Sequence, residues 1–444
     1  DDRHLRLPGT RVGKTGIEHV MEEELRGVPG TRRLEVDARG AVVRVLDETP
    51  PLRGRDVVLT IDRALQERVV ARLSEERRGA VVAMDVIDGE VVAMASAPGF
   101  DPGPSAGAMH GDNWRRQLAH PDKPMLDRVT SGLYPPGSTF KMVTALAALE
   151  AGIVTPRQRF TCDGGFDLAG QHFRCWNRGG HGEVDLHRAL KSSCDAYFYD
   201  LASRLGIAAL TRMARQLGLG EIYDCGIAQQ KAGVVPDPEW KRGETGRGWL
   251  AGETVLAAIG QGFVTVTPLQ LAVMTARIAT GRRILPTLIR HQPGARPLTD
   301  ADDFQLLDIS PEWLGAVRRG MIAAVNEAGG TGGNAALGPG GAAGGTMAGK
   351  TGTAQVSRAS AVKAQADLPW ELRDHALFVG YAPADQPRYA VAAVVEHGGG
   401  GGASAAPLAR DVMAMVLEAD PASRPAATIG EGSAGAAGDG RNDG

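Results

Sequence analysis

Ser138-Thr139-Phe140-Lys141, Ser193-Cys194-Asp195 and Lys350-Thr351-Gly352-Thr353 follow one another along a chain of 444 residues. The first string pairs a hydroxyl with an amine one helical turn away, because residues three apart share a helix face. The second adds a hydroxyl able to relay a proton, and a carboxylate. The third adds a cation and two hydroxyls on one extended segment. Acyl transfer through a serine ester needs those parts: a nucleophile, a base, a relay and groups that hold an anion. Alone, Ser138 reads as a helix cap, and so does Ser-x-Asp. Context changes the reading. Pro135-Pro136-Gly137 halts whatever precedes it, and Ser138 opens a run to Glu150 with a stop at Gly152. Lys141 falls among Met142, Val143, Ala145, Leu146 and Leu149. Apolar surroundings disfavour an ammonium, lower its pKa and fit the amine to take the serine proton. Two decoys lack such context. Ser360-Ala361-Val362-Lys363 follows a polar loop with no helix stop, and Lys14-Thr15-Gly16 precedes the nucleophile altogether. Pro8 also stands where a phosphate loop would need its first glycine.

The elements that position these residues are legible in outline. Gly16 to Leu25 predicts an acidic helix, and Arg33–Asp37 with Ala41–Leu46 predicts a hairpin turning at Arg39-Gly40. We read residues 1–52 as a small appended module. A helix from Asp62 to about Arg77 leads into buried strands on either side of Asp88-Gly89, a strong hairpin signal. The stretch from 138 to about 326 reads as mostly helical. Lys350–Val356, Leu377–Tyr381 and Tyr389–Glu396 read as strands, and Pro407–Glu418 as an amphipathic helix. Strands at both ends of the chain with helices between imply a mixed α/β unit over 53–419, its sheet covered on both faces. From 420 to 444 Pro, Ala, Gly and Ser dominate, which predicts a disordered tail.

Composition narrows the class. With 49 basic and 52 acidic residues there is no broad basic field for nucleic acid. Asp1-Asp2-Arg3-His4 carries no apolar signal core, so a membrane anchor is expected upstream of residue 1. Thr254 to Ala276 is long and uncharged, but Gly260-Gln261-Gly262 and Pro268 mark it as a buried helix-turn-helix.

The three strings resemble those of the penicilloyl-serine transferases, that is, penicillin-binding proteins and serine β-lactamases. Tyr134-Pro135-Pro136-Gly137 before Ser138, Gly260-Gln261-Gly262 with Thr267-Pro268-Leu269-Gln270, and Leu372-Arg373-Asp374-His375 are similar to the penicillin-binding protein 2 branch, the class B transpeptidases of rod elongation. Asp195, where most relatives carry Asn, fits that branch. The likeness covers about 10 to 418 and implies a penicillin-binding transpeptidase fold, a five-stranded antiparallel sheet with helices on both faces. It makes the first fifty residues part of a dimerisation-type pedestal. It implies that Ser138 attacks the penultimate D-Ala carbonyl of a peptidoglycan stem peptide, with Lys141 as base and Ser193 as relay. Asp195 accepts from Lys141 or substrate, Lys350 joins them as a catalytic residue, Thr351, Gly352 and Thr353 bind the substrate, and the N–H groups of Ser138 and Thr353 hold the oxyanion. Implied partners are stem peptides, lipid-linked precursor, β-lactams as inhibitors, a membrane glycosyltransferase and the scaffold proteins of the elongation complex. No cofactor is implied for catalysis. The implied location is the periplasmic side of a bacterial inner membrane. A D,D-carboxypeptidase, a serine β-lactamase and a non-enzymatic β-lactam sensor share the same nucleophile.

Cys162, Cys175 and Cys194 surround His181, while Cys225 stands apart. Three states are open: Cys162, Cys175, His181 and Cys194 around a structural zinc, a Cys162–Cys175 disulfide, or free buried thiols. Members of the elongation branch that carry zinc beside the Ser-x-Asp loop have ligands at similar positions.

Overall fold

The computed structural model describes residues 12–100, 112–290, 304–338, 345–357 and 363–423. The chain divides into a unit that ends at Val58, past the expected boundary at residue 52, and a unit spanning Leu59–Pro421. In the first unit the acidic helix is two short helices, Gly16–Val20 and Glu22–Arg26, broken at Met21. The hairpin pairs β1 (Thr31–Val36) with β2 (Val42–Thr49) in antiparallel register. Every residue of both strands is exposed.

The second unit is built on five antiparallel strands. They are β3 (Gly79–Asp85), β4 (Val91–Ala97), β9 (Ala348–Ala354), β10 (His375–Ala382) and β11 (Tyr389–Val395), in the order β4-β3-β11-β10-β9. β3 and β11 are buried along their whole length, which explains their unbroken apolar sequences. The helices Arg63–Leu73 and Ala405–Ala419 pack together on one face, and Pro268–Thr280 and Pro311–Asn326 cover the other. Asp62 caps the first of these by accepting from the Leu65 N–H at 2.8 Å. Thr267 and Gln270 close a capping box on Pro268–Thr280, with Gly281 left-handed beyond its end. The uncharged stretch is thus two helices, Ala251–Ala258 and Pro268–Thr280, with a turn between them. Among the described residues no helix is long and apolar enough to cross a membrane.

The segment expected to be mostly helical also contains four short strands. β5 (Phe160–Cys162) pairs with β8 (Gly182–Val184), and β6 (Gly165–Leu168) pairs with β7 (Gln171–Arg174). Three- and four-residue strands are too short to express a period, which is why the sequence pattern misses them. Ser360 and residues 424–444 lie outside the described residues.

Candidate active site

The nucleophile string stands where backbone meets backbone. Ser138 is the second residue of a 3₁₀ turn, Gly137–Phe140, that runs directly into the helix Lys141–Glu150. Gly137 has φ +55°, and a Cβ there would stand 2.5 Å from the Thr353 carbonyl oxygen. Gly260 has φ +68°, and its Cβ would meet the Gly137 oxygen at 2.3 Å. Only glycine permits both approaches. Gly137 N–H donates to Gly260 O at 2.9 Å, and Gln261 Nε2 donates to Thr353 O at 3.1 Å. The Gly-Gln-Gly turn therefore ties the serine turn to β9. The close approach at Gly352 is made from within the protein, since a Cβ there would be 2.9 Å from Pro136 O and 3.0 Å from Thr139 Cγ2.

Ser193 lies in the short connection between the helices Leu186–Lys191 and Asp195–Leu205, with φ +55°. A left-handed serine costs about 1 kcal/mol, and here it sets the hydroxyl between two amines. Lys141 Nζ donates to Ser193 Oγ at 3.1 Å, to Ser193 O at 2.8 Å and to Asp195 Oδ1 at 2.6 Å. Lys350 Nζ donates to Ser193 Oγ at 2.8 Å and to Thr351 O at 3.1 Å. Neither lysine has any exposed surface. Burial first, then the charge of Lys141, pushes the Lys350 ammonium well below the usual lysine range, against the opposing pull of Asp195. Two amines thus share one hydroxyl, and Lys141 alone also bonds the Asp195 carboxylate.

Asp195 also accepts from the Trp176 N–H, through Oδ2 at 2.8 Å. An acceptor-only carboxylate suits both of its partners, which are donors. Ser138, Ser193, Asp195, Thr351, Gly352 and Thr353 line one cleft of about 600 Å³. Lys141 and Lys350 lie beneath it. The three strings converge, and the decoy Lys14 belongs to the other unit and is exposed.

Two groups of residues near the site, apart from Tyr134 in the motif before Ser138, gave no signal in the sequence. Trp176, 56% exposed, donates Nε1 to Ser193 O at 3.0 Å and stacks edge-on against His181. Just past the end of β11, Arg128 Nε and Tyr134 OH each donate to Glu396 Oε1 at 2.8 Å, and Arg78 approaches Oε2 at 3.3 Å. Burial would raise the Glu396 carboxyl, but the Arg128 charge and the bonds from Tyr134 and Arg128 hold it below the carboxylate range. Tyr134 begins the turn that carries Ser138, so this buried ion pair anchors the nucleophile segment. His375 packs on Tyr134 and on His397, and burial followed by the His397 charge lowers it to about 4.

The cysteine cluster abuts the relay. The ligand atoms of Cys162, Cys175, His181 and Cys194 all lie within 4.8 Å of one another, and all four cysteines of the chain are free thiols. His181 Nδ1 is 3.6 Å from Cys162 Sγ and 3.5 Å from Cys175 Sγ. Tetrahedral zinc with bonds of about 2.0–2.3 Å separates its ligands by roughly 3.3–3.8 Å; both His181 distances fall in that range, and three thiols with one imidazole are a donor set that suits zinc. His181 Nε2 is buried without a hydrogen-bond partner among the described residues. The hydrogen bond between Cys194 and Cys175 lowers the Cys175 thiol and raises the Cys194 thiol, so without a metal the pair divides its protons unevenly.

Comparison with known proteins accords with this geometry. Residues 79–414 match the family model of the penicillin-binding protein transpeptidase domain, and residues 3–59 match that of the penicillin-binding protein dimerisation domain. The chain is 37% identical over 420 residues to the peptidoglycan D,D-transpeptidase MrdA of Acinetobacter baumannii, covering 93% of this chain and 61% of that one. It therefore spans about 61% of the length of that relative. The structure of Helicobacter pylori PBP2 in complex with MreC superposes with a TM-score of 0.81 at 30% identity, covering 94% of this chain and 74% of that one. Pseudomonas aeruginosa PBP2 in complex with WCK 5153 gives 0.74 at 38% identity, covering 90% and 83%. In fold, in order of motifs and in the match across residues 79–414, the chain belongs to the penicillin-binding protein transpeptidase family.

Proposed function

We propose that the chain is the catalytic part of a peptidoglycan D,D-transpeptidase that cross-links stem peptides through an acyl-enzyme on Ser138. The observation that carries this reading is the Ser193 hydroxyl between Lys141 and Lys350, below a cleft that Ser138 and β9 share. Burial pushes the Lys350 ammonium below its usual range, which favours a neutral amine beside the relay hydroxyl. Ser138 Oγ attacks the penultimate D-Ala carbonyl and its proton passes to Lys141, which Asp195 and the Ser193 carbonyl hold in place. Ser193 hands a proton to the departing D-Ala amine. The N–H groups of Ser138 and Thr353 hold the oxyanion, and Thr351 and Thr353 meet the substrate carboxylate. An amine of a neighbouring stem peptide then takes the acyl group and frees Ser138. A β-lactam enters the same route, and its acyl group stays because its leaving amine remains attached.

On the same reading the cysteine cluster holds a structural zinc. The ion would fix Cys175 and Cys194, and through the adjoining Trp176 N–H and Asp195 it would fix the position of Lys141. Its role would be to order the relay loop. The partners would be lipid-linked precursor, a membrane glycosyltransferase and scaffold proteins of an elongation complex, MreC being one for the H. pylori relative. The domain would work on the periplasmic side of the inner membrane, held by an anchor preceding residue 1, in the maintenance of rod shape.

The test is Ser138→Ala. It abolishes covalent labelling by a fluorescent penicillin and cross-linking of lipid-linked precursor by the full-length protein with its polymerase partner, and leaves the thermal melt nearly unchanged. Labelling that survives the substitution overturns the assignment of the nucleophile. Rapid turnover of the wild-type adduct, in place of a burst and a long-lived adduct, would move the chain to the hydrolases.

A further inference from the structure

The mouth of the catalytic cleft carries an uncompensated positive charge. Arg174, at the end of β7, and Arg178, four residues on, both line the cleft together with Ser138, and both are exposed. Among the described residues neither guanidinium makes an ion pair. The acidic groups lining the same cleft are already engaged. Asp195 is held by Lys141 and the Trp176 N–H. Asp374 accepts from Val356 N–H at 3.1 Å and Gln365 Nε2 at 2.9 Å. His172, the third basic residue of this wall, has its own partner, Asp167 at 2.9 Å. The two arginines thus project a field that nothing at the site neutralises.

Their position is registered to the chemistry. Trp176, midway between them, donates its N–H to Asp195 and its indole Nε1 to Ser193 O. The wall bearing Arg174 and Arg178 is therefore fastened to the relay residues by hydrogen bonds, while the anion-binding hydroxyls Thr351 and Thr353 stand on β9. Two separate places for negative charge border one nucleophile. Arginine presents a planar fork that matches a carboxylate, and a cleft lined by one sign of charge concentrates ligands of the other.

We propose that Arg174 and Arg178 select substrates bearing a second carboxylate, on the peptide side chain remote from the reacting carbonyl, distinct from the carboxylate that β9 receives. This rests on the reading of Ser138 as an acylated nucleophile. The site is then specific for acidic peptides, and specificity is set on the β7 wall, apart from the residues that make and break bonds.

Two penicillins of equal size test this, one with a neutral arylacetyl side chain and one with a carboxylate on the side-chain α-carbon. In the wild type, raising the salt slows acylation by the doubly charged, carboxylated penicillin more steeply than by the one whose side chain is neutral, which keeps only its ring carboxylate. In the Arg174→Gln/Arg178→Gln variant, acylation by the carboxylated penicillin falls roughly fivefold, the scale of two exposed charge contacts. Acylation by the neutral penicillin stays within about twofold of wild type, since neither guanidinium holds any other group in place. The charge-reversed variant Arg174→Glu/Arg178→Glu deepens the selective loss. Equal changes for both penicillins, or no change for either, overturn the proposal. A wild-type protein that neither penicillin acylates removes the Ser138 reading, and this one with it.

Discussion

Replacing Ser193 with glycine removes the hydroxyl that two lysines share and keeps the backbone that presents it. Ser193 has φ +55°, a conformation glycine adopts without strain, so the change relieves about 1 kcal/mol. Against this stand the flexibility of glycine, about 0.5–1 kcal/mol, and two hydrogen bonds to buried amines. Bonds to charged groups are worth about 1.5–3 kcal/mol each, and the lower figure applies because other acceptors stay in place. Lys141 keeps Asp195 and the residue 193 carbonyl, and Lys350 keeps the Thr351 carbonyl. The net loss is about 3 kcal/mol, a fall in melting temperature of several degrees from a protein that stays folded. The chemical cost is far larger. A positioned proton carrier contributes roughly 10²–10⁴-fold, so the second-order rate of acylation by a fluorescent penicillin should fall about a thousandfold. Stopped-flow fluorescence on Ser193→Gly measures the rate, and circular dichroism against temperature measures the melt. A rate within about tenfold of wild type, with the fold intact, would refute the argument that the proton passes through this hydroxyl.

Glu396→Gln leaves Arg128 buried without its counter-charge and should cost about 3 kcal/mol by urea denaturation. Arg128→Met/Glu396→Gln should recover part of that loss, and strict additivity of the two changes would refute the pairing. His375 is neutral when folded down to about pH 4 and protonates near its ordinary value, 6.5, when unfolded. Its contribution is therefore complete above about pH 6.5 and is lost as pH falls towards 4, up to about 3 kcal/mol. Urea midpoints of wild type and His375→Asn across that range should converge on acidification, and parallel curves would count against the buried neutral ring. Protein purified without chelator should carry one zinc per chain by elemental analysis. Cys162→Ser/Cys175→Ser should lack it and acylate more slowly as Trp176 loosens from Asp195. Metal-free protein with a Cys162–Cys175 disulfide by mass spectrometry would replace the zinc assignment.

What the sequence made legible follows from how local each signal is. Pro135-Pro136-Gly137 before Ser138 and the apolar company of Lys141 are features of a few adjacent residues, and both strings form the elements expected of them. β3, β10 and β11 announce themselves as continuous apolar runs, because helices cover both faces of the sheet. Asp195 was legible as a site residue, but its work was not. Its two donors, Lys141 Nζ and the Trp176 N–H, come from separate segments, and the Trp176 turn is held by short strands without periodicity. Arg128 illustrates the other limit. It is 1% exposed, yet a single arginine between Asp127 and Val129 reads as a surface residue until Glu396, far along the chain, is seen opposite. Long-range pairs of this kind are set by topology, which no local pattern contains.

The strand order β4-β3-β11-β10-β9 joins the two halves of the sheet only when β11 is in place, so acylation of Ser138 would report on that join. β3 is synthesised long before its central neighbour β11, and β9 reaches β3 only across β10 and β11. A nascent chain released after about residue 385 would own every catalytic side chain named above and still lack the join between its two halves. Labelling of ribosome-bound chains of graded length would stay silent until β11 has emerged, and would then appear abruptly.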